Sequence, residues 1–271
     1  MKPREIYDEL FFDSFDDIAQ ASAEAVVPMV LDRVPATSVI DVGCGRGYWL
    51  RAFRQAGVDR IFGVDGGRID ANRLVIPPDD FAAVDLAGVV DGKPLNVSPY
   101  ERFDLATCME VAEHLPENAA DHFVRGLTEL APVLLFSAAI PRQGGTGHLN
   151  ERWPSYWAAI FARYGYVPVD GLRRLIWRRP DVGAWYRQNL LMYVAGERLG
   201  QYEKLAGDVV DDIASLDIVH PDYYESQFVD RRSVRDLMGV IPQATIKSVE
   251  ARVKRMMAQR GATPAHVEEG R

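Results

Sequence analysis

Val39-Ile40-Asp41-Val42-Gly43-Cys44-Gly45-Arg46-Gly47-Tyr48 is the stretch from which the rest of the chain can be read. An apolar run rich in β-branched residues, which favour a pleated buried strand, reaches the acid Asp41. It then enters a loop with glycines at 43, 45 and 47. A helix-like segment over 48–56 follows. Without a Cβ, glycine lets a backbone approach a ligand closely, and the helix start behind the loop offers N–H groups with no partner in the helix. A tight strand-to-helix turn explains the same glycines. A dinucleotide site would require the full Gly-x-Gly-x-x-Gly spacing, which this stretch lacks.

The elements downstream extend the pattern. Ile61-Phe62-Gly63-Val64-Asp65 reads as a short buried strand ending in an acid about 20 positions after the glycine loop, where a carboxylate suits the two hydroxyls of an adenosine ribose. Residues 81–86, carrying Asp85, and residues 103–109 read as the third and fourth strands. Residues 132–140 supply the fifth. Helical segments between them predict an α/β fold with a doubly wound parallel sheet.

Together these residues resemble the class I S-adenosylmethionine (SAM) methyltransferases over about residues 37–195. The resemblance implies a Rossmann-like, seven-stranded mixed sheet in which residues 166–169 and 190–194 form a closing antiparallel hairpin. It also implies a SAM site built from Asp41, Gly43, Cys44, Gly45, Gly47, Asp65, Asp85, Leu86 and Cys108. In it the glycine loop wraps the methionine end and Asp85 faces the adenine amino group.

Composition narrows the function. The chain has 271 residues, 48% of them hydrophobic and 26% charged, as expected of a globular protein with one main core. Its net charge of −8 argues against a broad nucleic-acid surface. Two cysteines, Cys44 and Cys108, both at strand ends, make a disulfide framework an unlikely plan and a reducing cytoplasm the default expectation. No apolar run reaches the length of a membrane span.

The expected organisation is a helical segment over 1–36, with Phe11, Phe12, Phe15, Ile18 and Ala19 at helical spacing. The core follows at 37–196, with substrate-side loops at 141–157 and 173–189. A helical extension over 197–260 and a disordered tail over 261–271 complete the chain. Within the extension, residues 201–216 and 244–259 read as helices. The latter, basic and amphipathic, leaves a homodimer contact open beside packing on its own domain. Arg173, Arg174, Arg178 and Arg179 are expected to face solvent or to bind an anionic group of the acceptor.

The chemistry concentrates after the fourth strand, in Glu110-Val111-Ala112-Glu113-His114. On a helical turn, side chains at i, i+3 and i+4 share one side. Two carboxylates and an imidazole converging there favour a divalent cation between them: Mg²⁺ or Mn²⁺ by the carboxylates, with imidazole tilting the choice towards Mn²⁺, Fe²⁺, Co²⁺ or Zn²⁺. His148, in the loop Gly144-Gly145-Thr146-Gly147-His148, is the fourth candidate ligand. Glu-x-x-Glu-His followed by a loop histidine resembles the metal-dependent small-RNA 2′-O-methyltransferases and the ubiquinone-pathway O-methyltransferases. In both, the resemblance implies a vicinal diol as the group addressed. Alternatively, His148 acts as a metal-free general base and Glu113 and His114 only buttress the loop. His122, His220 and His266 read as surface or core histidines.

Residues 144–157 and 185–189 resemble methyltransferases of bacterial polysaccharide and glycosylated natural-product pathways. That resemblance makes Asn150, Glu151, Trp153, Tyr156 and Gln188 the candidate acceptor contacts, with Trp157 and Asn189 nearby. The leading expectation is an O-methyltransferase of a saccharide or glycosylated metabolite, with His148 and Glu113 as catalytic residues and SAM and a divalent metal as cofactors. The acceptor is a small molecule or oligosaccharide, without nucleic acid or membrane as partner. A phenolic or amine acceptor, and a SAM-binding subunit without turnover, are the competing readings.

Overall fold

A computed structural model describes the backbone of residues 9–66, 69–86 and 102–229, with side chains over 16–66, 69–86 and 102–225. The expected helix over 244–259, the tail from residue 261 and His266 lie outside the described residues. Helix α1 (Glu9–Leu31) leads into β1 (Ser38–Val42), α2 (Tyr48–Gln55), β2 (Arg60–Asp65), β3 (Phe81–Ala83) and β4 (Leu105–Met109). Then come α3 (Ala120–Leu130), β5 (Val133–Ser137), α4 (Pro154–Arg163), β6 (Tyr166–Val169), α5 (Gly171–Ile176), α6 (Ala184–Asn189), β7 (Leu191–Ala195) and α7 (Glu203–Ala206). The chain divides after His220 into two compact units, and the described part of the second is α8 (Pro221–Val229).

The sheet runs β3-β2-β1-β4-β5-β7-β6. Strands β1 to β5 are parallel, and β7 lies antiparallel between β5 and β6, as the hairpin reading requires. Every residue of β1, β4 and β5 is buried, because helices cover both faces. Cβ atoms alternate along a strand, so neighbours join opposite cores: Ile40 packs with Phe123, Phe136, Trp157 and Phe161, whereas Val39 packs with Leu50, Phe53, Leu105 and Leu135. Strand order reverses between β1 and β4. The carboxyl ends of the strands there open the crevice in which such sheets bind ligands.

Three segments differ from the sequence expectation. In α1 the buried stripe is Ser22, Ala23, Val26, Val27 and Val30, and Ile18 is exposed; the side chains of Phe11, Phe12 and Phe15 lie outside the described residues. The helix packs on α2 and α5, and Gly183 N donates to Ser22 Oγ at 2.9 Å. Residues 201–216 form only α7 and a tight turn at Ile213–Leu216 capped by Asp212, with a bridge from Val209 to Val169 between them. Leu205 and Leu216 are fully buried, so this segment completes the main core instead of extending beyond it. Arg173, expected at the surface, is 1% exposed and forms a two-point ion pair with Asp170, Nε–Oδ1 2.8 Å and Nη2–Oδ2 2.6 Å. It also donates to the carbonyls of Gln188 and Leu216. Arg174 and Arg178 are exposed, and Arg179 pairs with Asp181. No helix among the described residues is long and apolar enough to cross a membrane.

Candidate active site

The glycine loop carries three left-handed residues, Gly43 (φ 82°), Gly45 (φ 55°) and Gly47 (φ 93°), a conformation that penalises any Cβ. They do different work. A Cβ on Gly43 would sit 2.2 Å from Val111 Cγ2, and one on Gly47 would press on Ile76 at 3.0 Å. Both are required by the protein's own packing. Only at Gly45 does the Cβ direction point into open space. Gly45 N donates to Asp65 Oδ2 at 2.7 Å, which ties the end of β2 to the loop. Burial pushes the Asp65 carboxyl up to about 6, against the amides of Gly45 and Gly66 that lower it.

Asp41 is buried at the end of β1 and accepts a 2.6 Å bond from Thr107 Oγ1, its register partner on β4. Burial raises this carboxyl to about 7. Three other expected cofactor contacts are core residues. Leu86 packs under the sheet with Val42 and Val64, Cys108 is fully buried, and Cys44 fills the space over Gly63. Burial drives both thiols well above their usual range. Asp85 is exposed beyond β3.

Beyond β4 the expected single helical turn does not form. Glu110 adopts φ 55°, with its N–H bound to Ser137 O (3.0 Å) and Oγ (3.2 Å). A tight turn at Ala112–His114 follows. This break ties Glu110 to β5 while its carboxyl stays in hydrogen-bond contact with that of Glu113. Its carboxylate accepts from Asn189 Nδ2 at 3.0 Å and Gln143 Nε2 at 2.9 Å, and burial raises its pKa.

Glu113, His114 and His148 come together, with ligand atoms all within 4.8 Å of one another. The His114 and His148 rings meet edge to face, centroids 4.8 Å apart. Glu113 is 0% exposed, and neither of its oxygens has a well-formed hydrogen-bond partner among the described residues. The amides of Glu113 and Ala139 only face it. Burial, then the charge of Glu110, pushes its carboxyl well up. Burial, then repulsion from His148, lowers His114 to about 4, against the Gly147 backbone that raises it, and the neutral imidazole this favours is the form that ligates a cation. A buried carboxylate so weakly hydrogen-bonded is costly when ionised. Beside two imidazoles it fits a divalent cation.

The loop after β5 is fastened to this turn by its backbone: Leu149 N and Asn150 N donate to Glu113 O at 2.8 and 2.9 Å. Beside it runs a groove of about 650 Å³ whose lining includes Glu151, Arg152, Trp153, Ser155 and Tyr156. Trp153 is 38% exposed, and the Arg152 guanidinium lies 5.2 Å above the Tyr156 ring. Asn150 is buried with its Oδ1 on Arg152 Nε and its Nδ2 without a partner among the described residues.

Gln188 corrects the sequence reading. It is fully buried, and its amide is consumed by Ile218 O (2.6 Å) and His220 N, so it holds the core and does not reach a cleft. Trp157 is likewise a core residue, His122 is exposed, and His220 is buried with Nε2 2.6 Å from Trp177 O. Thr107, Ser137 and Gln143 were not legible as site residues. Their partners lie 66, 27 and 33 positions away in sequence.

A family model described as a methyltransferase domain matches residues 8–178. No curated protein matches the chain. Among solved structures, the sugar N-methyltransferase KedS8 from Streptoalloteichus sp ATCC 53650 is 18% identical with a TM-score of 0.50, over 69% of this chain and 91% of that one. The SAM-bound amino pentose methyltransferase CalS10 from Micromonospora echinaspora is 16% identical with a TM-score of 0.47, over 70% and 98%. The methyltransferase domain of bacterial CtHen1-C is 22% identical with a TM-score of 0.46, over 66% and 99%. At 18% identity the likeness to KedS8 bears on the fold alone.

Proposed function

Given that the chain belongs to the methyltransferase-domain family and is a SAM-dependent methyltransferase, we propose that it methylates a hydroxyl of a saccharide or glycosylated metabolite with the help of a divalent cation. The observation that carries this reading is Glu113, a buried carboxylate without a well-formed hydrogen bond among the described residues, facing His114 and His148. These three residues would hold the cation. One carboxylate and two imidazoles favour Mn²⁺ over Mg²⁺.

SAM, when bound, supplies a methyl group already activated by its sulfonium. The cation, when bound, would orient vicinal hydroxyls and make one of them more acidic. The protein's own work is placement and proton removal. Gly45 leaves room beside the loop for the methionine end, and Asp65 is the carboxylate for the ribose hydroxyls. His148, or a carboxylate near the cation such as Glu110, made more basic by burial, would accept the hydroxyl proton. Trp153 and Tyr156 offer ring faces, and Arg152 and Asn150 offer donors, for the remainder of the acceptor.

One observation favours a second reading. His148 Nδ1 is bonded to Glu151, the arrangement of an oriented general base. In that case His148 takes the proton without metal, and the acceptor is a phenol or amine whose ring stacks in the groove.

A single assay separates the two. Labelled SAM is incubated with saccharides, phenols and amines, with and without EDTA. The first reading expects turnover of a saccharide that chelator abolishes and Mn²⁺ restores; full turnover in exhaustive chelator sinks it. The cofactor assignment has its own test. Asp65→Ala leaves the ribose hydroxyls without their acceptor and is expected to weaken SAM binding by about 1–3 kcal/mol. Unchanged affinity by calorimetry would remove Asp65 from the site.

A further inference from the structure

Glu151, expected to touch the acceptor, lines the groove, and its carboxylate is engaged by its own loop. Oε1 lies 2.9 Å from His148 Nδ1 and accepts from Gly144 N at 2.8 Å, and Oε2 accepts from Arg142 N at 2.7 Å. Arg142 is held at φ 73°, a strained conformation for a residue with a Cβ. One side chain thus gathers both ends of the loop that carries His148 and one nitrogen of the histidine itself.

We infer that Glu151 is a positioning residue that fixes the tautomer and orientation of His148. An ionised carboxylate only accepts hydrogen bonds, so a neutral imidazole bonded to it through Nδ1 carries its proton there and presents a bare Nε2. The rest of the ring's surroundings agree. A Cβ on Gly145 would fall 2.2 Å from Nε2, 2.3 Å from Cε1 and 2.8 Å from Cδ2. The Gly145 backbone therefore lies over the ring face and does not stand in the way of the in-plane lone pair. His114 closes the ring edge to face at 4.8 Å. Carboxylate, imidazole and cation in line is the arrangement by which outer partners orient a metal ligand; the same pair also orients a general base. The inference rests on the proposed working role of His148 and not on which of those two roles it plays.

Two measurements test it. In metal-free, ¹⁵N-labelled protein, long-range ¹H–¹⁵N correlation of the imidazoles, with the His148 signals assigned from His148→Ala, is expected to show Nδ1 protonated and Nε2 bare. An Nε2–H tautomer would overturn the inference. Glu151→Gln is then expected to lower Mn²⁺ affinity about 10- to 100-fold, with SAM affinity unchanged. Wild-type Mn²⁺ affinity in the folded variant would also overturn it.

If Glu151→Gln fails to fold, Gly145→Ala, which pushes the ring off Glu151 and leaves the carboxylate in place, is expected to give the same loss. Wild-type Mn²⁺ affinity there counts against the inference in the same way. If wild-type protein itself binds no Mn²⁺, the metal reading falls. The tautomer, together with a lower kcat at unchanged acceptor KM in Glu151→Gln, then decides the inference alone.

Discussion

His148→Ala is expected to slow methyl transfer by about 10²–10⁴-fold, the usual cost of losing a proton acceptor, and by a comparable factor if a metal ligand is lost. SAM affinity should stay within a few-fold of wild type. The two effects separate because of where the loop is anchored. Leu149 N and Asn150 N hold the loop to Glu113 O through the backbone, so removing the imidazole of the preceding residue leaves the anchor standing. The SAM-side groups, Gly45 and Asp65, are bonded to each other and not to this loop. Single-turnover rates on the true acceptor, alongside calorimetric titration with SAM, read both quantities. Normal turnover would return Glu113 and His114 to a supporting role.

Arg173→Ala is expected to cost about 3–5 kcal/mol of stability, because it leaves Asp170 charged and buried without its partner. The pair is 1% and 7% exposed, and the guanidinium also satisfies carbonyls at 188 and 216. The exposed neighbour Arg174 is the control, and its replacement by alanine should move stability by about 0.5 kcal/mol or less. Urea unfolding of both variants checks the contrast. Equal midpoints would mean that Arg173 does not carry the contacts that join α5, α6 and the turn before residue 217.

Much of this fold was legible from local pattern. β-Branched runs ending in Asp41 and Asp65, and glycines at 43, 45 and 47, specify strand, turn and helix from neighbours in the chain, since the period of a strand and a left-handed φ are local properties. The convergence of Glu113, His114 and His148 was readable too. Adjacent parallel strands β4 and β5 must open their carboxyl ends on one side of the sheet.

Other features were settled only when distant segments met. Which of the three glycines faces open space depends on Val111 and Ile76 arriving against the other two. That Glu110 is bound by Ser137, Gln143 and Asn189 as well as facing Glu113 depends on those residues arriving from elsewhere in the chain. Arg173 and Gln188 look like surface or cleft residues by composition. Both are buried because residues 216–220 close over them with carbonyl and amide groups that need partners. Glu151, which lines the groove, is also the clamp of its own loop. A polar side chain is directed by whichever unpaired donor or acceptor lies within reach once the chain is compact, and sequence spacing does not record that neighbour.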